Sequence, residues 1–232
     1  MSDEHELWVV RHRTVADEAE LVKPLNQLVH ALLAEDPALF QLFGYSPAFH
    51  LHPVVDGNKS LVENFLMTSE IQWHHGRSPE DPTHQVVYFG TSEEPGLSVY
   101  LRVQFVVEGT EATCPGLVAQ LRLGTGTLVH AGADRTARLD RLFSMLIESL
   151  RPDFGHVQLP GHPEASGWPN APDVGWLTYL ADAERAGSPN IAPPSVAIPF
   201  TDGVKIQAAP APAPEDYTVI ADAISALRLA LR

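Results

Sequence analysis

The chain is poor in cysteine, poor in positive charge and free of long apolar runs. The one cysteine among 232 residues is Cys114. No intramolecular disulfide can form, and a four-cysteine zinc site is excluded. The lone thiol precedes Pro115-Gly116 in an expected turn, with no helix N-terminus to lower its pKa, so it reads as a free thiol without function. No apolar stretch approaches the roughly 18 residues of a membrane span. The longest candidate, Leu97 to Val107, is broken by Arg102 and Gln104. The first residues, Met-Ser-Asp-Glu-His-Glu, are acidic where a secretory signal would be basic. A reducing, cytoplasmic setting is the expectation.

Basic residues are outnumbered: fifteen Lys and Arg face twenty-nine Asp and Glu, a formal net charge of −14. Nucleic acids and anionic membranes rely on Lys and Arg clusters for attraction, so neither is an expected partner. A basic protein would be attracted, and its encounter speeded. Catalytic signatures are also missing. Gly124-Thr125-Gly126-Thr127 is not followed by the Gly-Lys-Ser/Thr of a phosphate-binding loop. No Gly-x-Ser-x-Gly elbow occurs, and no carboxylate pair stands at a catalytic spacing.

What is present is globular: 44% hydrophobic and 19% charged residues suffice for a buried core rather than disorder. Leu97, Val99, Leu101, Val103, Phe105 and Val107 alternate with Ser98, Tyr100, Arg102 and Gln104, which predicts a half-buried strand. Residues 85–90 before it and 117–123 after it, across short connections, predict an antiparallel meander. Residues 6–13 form a further β-prone run, with Trp8 and Val10 on one face. Residues 174–180 predict a strand, and Asp202-Gly203 predicts a hairpin turn within 196–207.

Three main helices are expected. Leu25, Leu28, Val29 and Leu32 make an apolar stripe in the first, which starts near Pro24 if the proline fills the first turn. Leu139, Leu142, Phe143, Leu146, Ile147 and Leu150 make another over 135–150, with Asp134 as N-cap and Pro152 as stop. A last helix covers about 215–231, after the stiff Ala208–Pro214 connector. A shorter one is placed over 60–69. The fold class is therefore α+β: an antiparallel sheet of mixed strand lengths with three main helices packed on it. No linker divides the chain, so 1–232 reads as one domain.

Eleven histidines invite a metal reading. His50-x-His52 would put two imidazoles on one strand face, but the next glutamate, Glu63, comes too late for a cupin-like site, and Pro53 follows directly. His74 and His75 are adjacent and point apart in any regular element. Neither pair has a third ligand at a recognised spacing, so no metal and no cofactor is expected.

The C-terminal third is more specific. Asp173-Val174-Gly175-Trp176-Leu177-Thr178-Tyr179-Leu180 is followed by Asp202-Gly203-Val204-Lys205-Ile206, then by Pro214-Glu215-Asp216-Tyr217 and an apolar close. This order, over residues 172–228, resembles the immunity protein 52 family of bacterial polymorphic toxin systems. There a Gly-Trp-x-x-Tyr-Leu strand precedes a Gly-containing strand and a closing segment with a Pro-Glu start. The resemblance implies a cytoplasmic antidote that binds and blocks a cognate toxin, often one with a nuclease domain, without catalysis or cofactor. It carries Gly175, Trp176, Tyr179, Leu180 and Gly203 over as structural positions, since a Trp and Tyr along a strand are more often core than contact.

The acidic balance agrees with a phosphate-binding, basic toxin as a one-to-one partner. Contacts are expected on loops, which are free of core duty: Glu93 and Glu94 at a hairpin tip, Trp73, Glu80 and Asp81 in a long loop, and Trp168 and Asp173 before the Gly-Trp strand. The alternative is a cytoplasmic enzyme with a dispersed active site drawing on His50, His52, His74, His75 and Glu63.

Overall fold

The computed structural model describes residues 4–16, 19–37, 39–45, 51–53, 55–56, 59–60, 83–91, 98–106, 116–124, 135–161, 174–181, 193–209, 218 and 220–231. The strands are β1 (His5–Arg11), β2 (Leu42–Tyr45), β3 (Leu51–Pro53), β4 (Val55–Asp56), β5 (Lys59–Ser60), β6 (Thr83–Thr91), β7 (Ser98–Val106), β8 (Leu117–Leu123), β9 (Phe154–Gln158), β10 (Leu177–Ala181), β11 (Val196–Phe200) and β12 (Gly203–Gln207). The helices are α1 (Ala19–Glu35), α2 (Arg135–Leu150) and α3 (Ala221–Ala230). Ten strands form one sheet in the order β11-β12-β10-β9-β1-β8-β7-β6-β2-β3, with every neighbouring pair antiparallel. The fold is α+β, as the alternation and the apolar stripes imply.

Register fixes the two faces. Leu7 stands opposite Leu121 on β8 and Val157 on β9, and Leu121 stands opposite Leu101 on β7. Val9 faces Ala119 and Gly155, and Ala119 faces Val103. Because side chains alternate along a strand, these residues line one face, and all of the hydrophobic ones are fully buried. Helix α2 lies on it. A Cβ added at Gly155 would come within 3.1 Å of the Phe143 ring, so the missing side chain is what admits the helix so close to the sheet. Lys205 Nζ reaches from β12 to Asp140 Oδ1 at 2.6 Å and to Ser144 Oγ at 3.1 Å, tying the middle of the same helix to a second strand. Helix α1 packs beside α2, tied by Arg138–Asp36 at 2.7 Å and Arg141–Glu35 at 2.9 Å. Leu21, Leu25, Leu28 and Leu32 of α1 join Leu139, Leu142, Phe143 and Leu146 of α2 in one core with the sheet. Burying each such side chain contributes about 1.5–3 kcal/mol, so the stripes rather than helix propensity hold these helices in place.

Several boundaries differ from the sequence reading, among them the strand expected over 174–180, which begins at Leu177. Helix α1 starts at Ala19, five residues before Pro24, which lies inside it. Glu20 makes the early start possible: its carboxylate accepts from the Ala16 backbone N–H at 2.8 Å and from Arg11 Nη2 at 3.0 Å. One lost backbone hydrogen bond at Pro24 is outweighed by anchoring the first turn to β1. Helix α3 begins at Ala221 rather than near 215, after Ile220 leaves helical geometry at φ −120° and ψ 10°. In the β11–β12 hairpin the two loop residues are Thr201 and Asp202, with Thr201 at φ 52°. Gly203 is the first residue of β12, and a Cβ there would lie 2.2 Å from the Leu180 carbonyl oxygen. The glycine is required by close approach of strands, not by the turn. Of the expected helix over 60–69, Ser60 belongs to β5 and residues 61–69 lie outside the described residues.

Candidate functional site

On the face of the sheet away from α2, the alternate residues of β1, β8 and β7 are mostly polar. Trp8 stands opposite Gln120, which stands opposite Arg102; Glu6 stands opposite Arg122, which stands opposite Tyr100. A half-open cleft of about 400 Å³ lies here, lined among the described residues by Trp8, Arg102, Gln104, Val118 and Gln120.

Glu6 organises the cleft wall. One carboxylate oxygen accepts from Gln120 Nε2 at 2.7 Å and from the Trp8 indole N–H at 3.0 Å. The other lies 3.5 Å from Arg122 Nε. With three partners, the carboxylate sits in an almost fully buried residue, 7% exposed, without an uncompensated charge. The Arg122 guanidinium lies 5.7 Å from the Tyr100 ring centroid, a cation–π distance. Arg102 Nη2 donates to Gln104 Oε1 at 3.2 Å. Burial lowers the Arg102 pKa, Tyr100 opposes that effect and the neighbouring Arg122 charge adds to it; an arginine stays charged through such a shift. Gln120 is 1% exposed, and its Oε1 meets no donor among the described residues. Val10, Val118 and Phe154 form a small apolar floor beside Trp8. His156 and Gln158 continue the polar row onto β9, with their side chains 3.0 Å apart.

The motif residues of the C-terminal third lie elsewhere. Trp176 and Tyr179 are each 1% exposed and belong to the main core. A Cβ at Gly175 would meet the Val157 carbonyl oxygen at 2.1 Å. The Tyr179 hydroxyl donates to Asp202 Oδ1 at 2.8 Å and lies 3.2 Å from Thr201 Oγ1, closing the hairpin loop onto β10. Burial raises the Tyr179 pKa, while the hydrogen bond from Tyr179, and then that from Thr201, lowers that of Asp202. Trp73, Glu80, Asp81, Glu93, Glu94, Trp168 and Asp173 all lie outside the described residues, as do His50, His74, His75, Glu63 and Cys114. His52 falls in β3, a strand at one edge of the sheet. Among the described residues no group of three His, Cys, Asp or Glu is arranged to hold a metal ion, and no helix is long and apolar enough to cross a membrane.

Sequence reading singled out Tyr100, Arg102 and Gln104 as the polar side of their strand, and placed Trp8 with Val10. It did not single out Glu6, Gln120 or Arg122. The signal existed: in 117–123, Val118, Gln120 and Arg122 alternate with Leu117, Ala119, Leu121 and Leu123.

The fold and cleft together define an α+β protein with α1 and α2 over one face of a ten-stranded antiparallel sheet and a polar cleft on the other. No family model matches the chain, and no curated protein matches it in sequence. Among solved structures, the Pseudomonas aeruginosa T6SS protein PA0821 is similar, with a TM-score of 0.52 and 16% sequence identity over 97% of this chain and 72% of that one. At that identity, the likeness is one of fold.

Proposed function

We propose that this chain is an immunity-type protein that binds a cognate toxin one to one in the cytoplasm and neutralises it by occlusion, without catalysis. The observation that carries the reading is the fold it shares, along nearly its whole length, with a protein described as belonging to a T6SS. The Gly175-Trp176-x-x-Tyr179-Leu180 order, which resembles an immunity family, supports it independently. The net charge of −14 favours a basic partner, such as a nuclease whose active face must bind phosphates. Trp73, Glu80, Asp81, Glu93, Glu94, Trp168 and Asp173 are the proposed contacts, because an aromatic anchor flanked by carboxylates suits such an interface. Gly175, Trp176, Tyr179 and Gly203 are structural positions, serving the core and the close packing of strands.

The test is co-expression with the toxin encoded beside the gene for this chain. Cells carrying both survive and the two proteins co-purify in equal amounts. Killing of cells that make the folded chain in excess would end the proposal.

A further inference from the structure

At β11 the sheet presents a short and specific set of backbone groups along its outer edge. The Ala181 N–H turns away from β12 to the Asp153 carbonyl, and the Ala208 N–H turns to Trp176. Alternation along β12 then directs the backbone groups of Gly203, Lys205 and Gln207 to β11, onto Phe200, Ile198 and Val196. Ala197 and Pro199 therefore turn theirs outwards. Among the described residues nothing meets the Ala197 N–H or C=O, while Pro199 offers a carbonyl alone. Val196 and Ile198 stand on the α2 side of the strand, opposite Gln207 and Lys205, yet are 51% and 46% exposed, so the helix does not cover them. The edge thus combines a donor and an acceptor at one small residue, an acceptor two residues on, and an apolar strip. The strand carries no charge. At the loop just past Phe200, the exposed Asp202 carboxylate is held by the Tyr179 hydroxyl at 2.8 Å and by Thr201 Oγ1 at 3.0 Å, a fixed acceptor for a lysine or arginine. Arg151 acts on it without an ion pair among the described residues.

A second copy of the chain fits this edge poorly. Laid antiparallel about Ala197, it sets Pro199 opposite Ser195 twice and loses a hydrogen bond at each place. It also brings together two chains of charge −14. A strand of a basic protein loses one such bond at most, and it is attracted rather than repelled. We propose that β11 receives an edge strand of the basic partner, laid antiparallel, with one residue exchanging both backbone hydrogen bonds with Ala197 and apolar side chains covering Val196 and Ile198. The inference rests on the immunity reading above and deepens it. Charge brings the partner in, and strand addition fixes its register; Pro199 rejects strands that need a donor where it stands.

The experiment follows backbone amide exchange by NMR in the chain alone and in complex with the neighbouring gene's toxin domain, catalytically disabled. Complex formation slows exchange at Ala197 by about tenfold or more. Ala197→Pro removes the donor without touching a hydrogen bond inside the hairpin, as Pro199 does two residues on. It weakens binding by about tenfold or more, since an acceptor on the partner is left buried and unpaired. Ile198→Glu adds a negative charge, which steering alone would turn into faster association; loss of the apolar cover weakens binding instead. Should the proline variant fold poorly, Ile198→Glu and the exchange of Ala197 in the parent chain decide the outcome. Binding by the parent with Ala197 exchange unchanged overturns strand addition and leaves the immunity reading standing. Protection of Ala197 that rises with the concentration of the chain alone makes a second copy the occupant and overturns it too. No binding by the parent chain overturns both.

Discussion

His5 begins β1 on the core side, opposite Leu123, and is 4% exposed with neither ring nitrogen hydrogen-bonded among the described residues. Burial, and then the charge of Arg135, lowers its pKa from 6.5 to about 4. Above pH 6.5 the imidazole is neutral in both folded and unfolded chains, and stability from this group is complete. As pH falls from 6.5 towards 4, the unfolded chain takes up a proton that the folded chain refuses, so stability is lost across that window. Between pH 7 and pH 5 the loss is about 2 kcal/mol from the shift cited. Urea unfolding at the two pH values checks it: His5→Gln flattens the difference by that amount. A parent chain with the same pH slope as the variant would show that His5 takes up its proton while folded.

At the scale of elements, β11 is one of the two edge strands of the ten-stranded sheet, and Val196 and Ile198 on it are 51% and 46% exposed. Open edges of this kind template pairing with other chains. Pro199 guards this one. It stands opposite Val204, one pair away from Phe200 and Gly203, which close the two-residue loop. The closing pair is hydrogen-bonded, so the next is not, and Pro199 turns its nitrogen, which lacks a proton, to the free edge. Pro199→Thr restores a donor there, and sedimentation velocity is expected to show more self-association than the parent at equal concentration. Identical sedimentation would assign the protection to other features of the edge. The opposite device holds β12 inside: Lys205, 7% exposed, is fixed by Asp140, Ser144 and the Phe200 ring at 4.2 Å. One cation thus joins a strand, a helix and an aromatic, and each strand position next to it inherits that register.

For the whole molecule, a charge of −14 acts at distances of a Debye length and beyond contact. Under the proposed function the association rate with the toxin falls steeply as salt rises from about 0.05 to 0.5 M, where the Debye length shrinks several-fold. Reversing Glu93 and Glu94 together to lysine slows association further. Stopped-flow mixing measures both effects, and dissociation changes little because rim charges act mainly on encounter. A rate indifferent to salt would remove the steering and leave the occlusion reading untouched.

Periods of two and 3.6 are local, so the sequence alone determined the β6-β7-β8 meander, the α1 and α2 stripes and the β11–β12 hairpin. The polar alternation at Tyr100, Arg102 and Gln104 was equally legible. What local pattern cannot carry is which distant strand comes alongside. Only tertiary structure inserted β1 between β8 and β9, and that insertion brought Glu6 to Gln120 across 114 residues of chain. The cleft exists because of that pairing: Trp8 from one end of the sequence closes a wall that Arg102 and Gln120 begin. Helix starts were decided at the same level, since Arg11 and the Ala16 N–H, both outside the helix, let Glu20 begin α1 ahead of Pro24. A sequence specifies which face each residue takes within its strand; the long-range hydrogen-bond register decides whose side chains share that face.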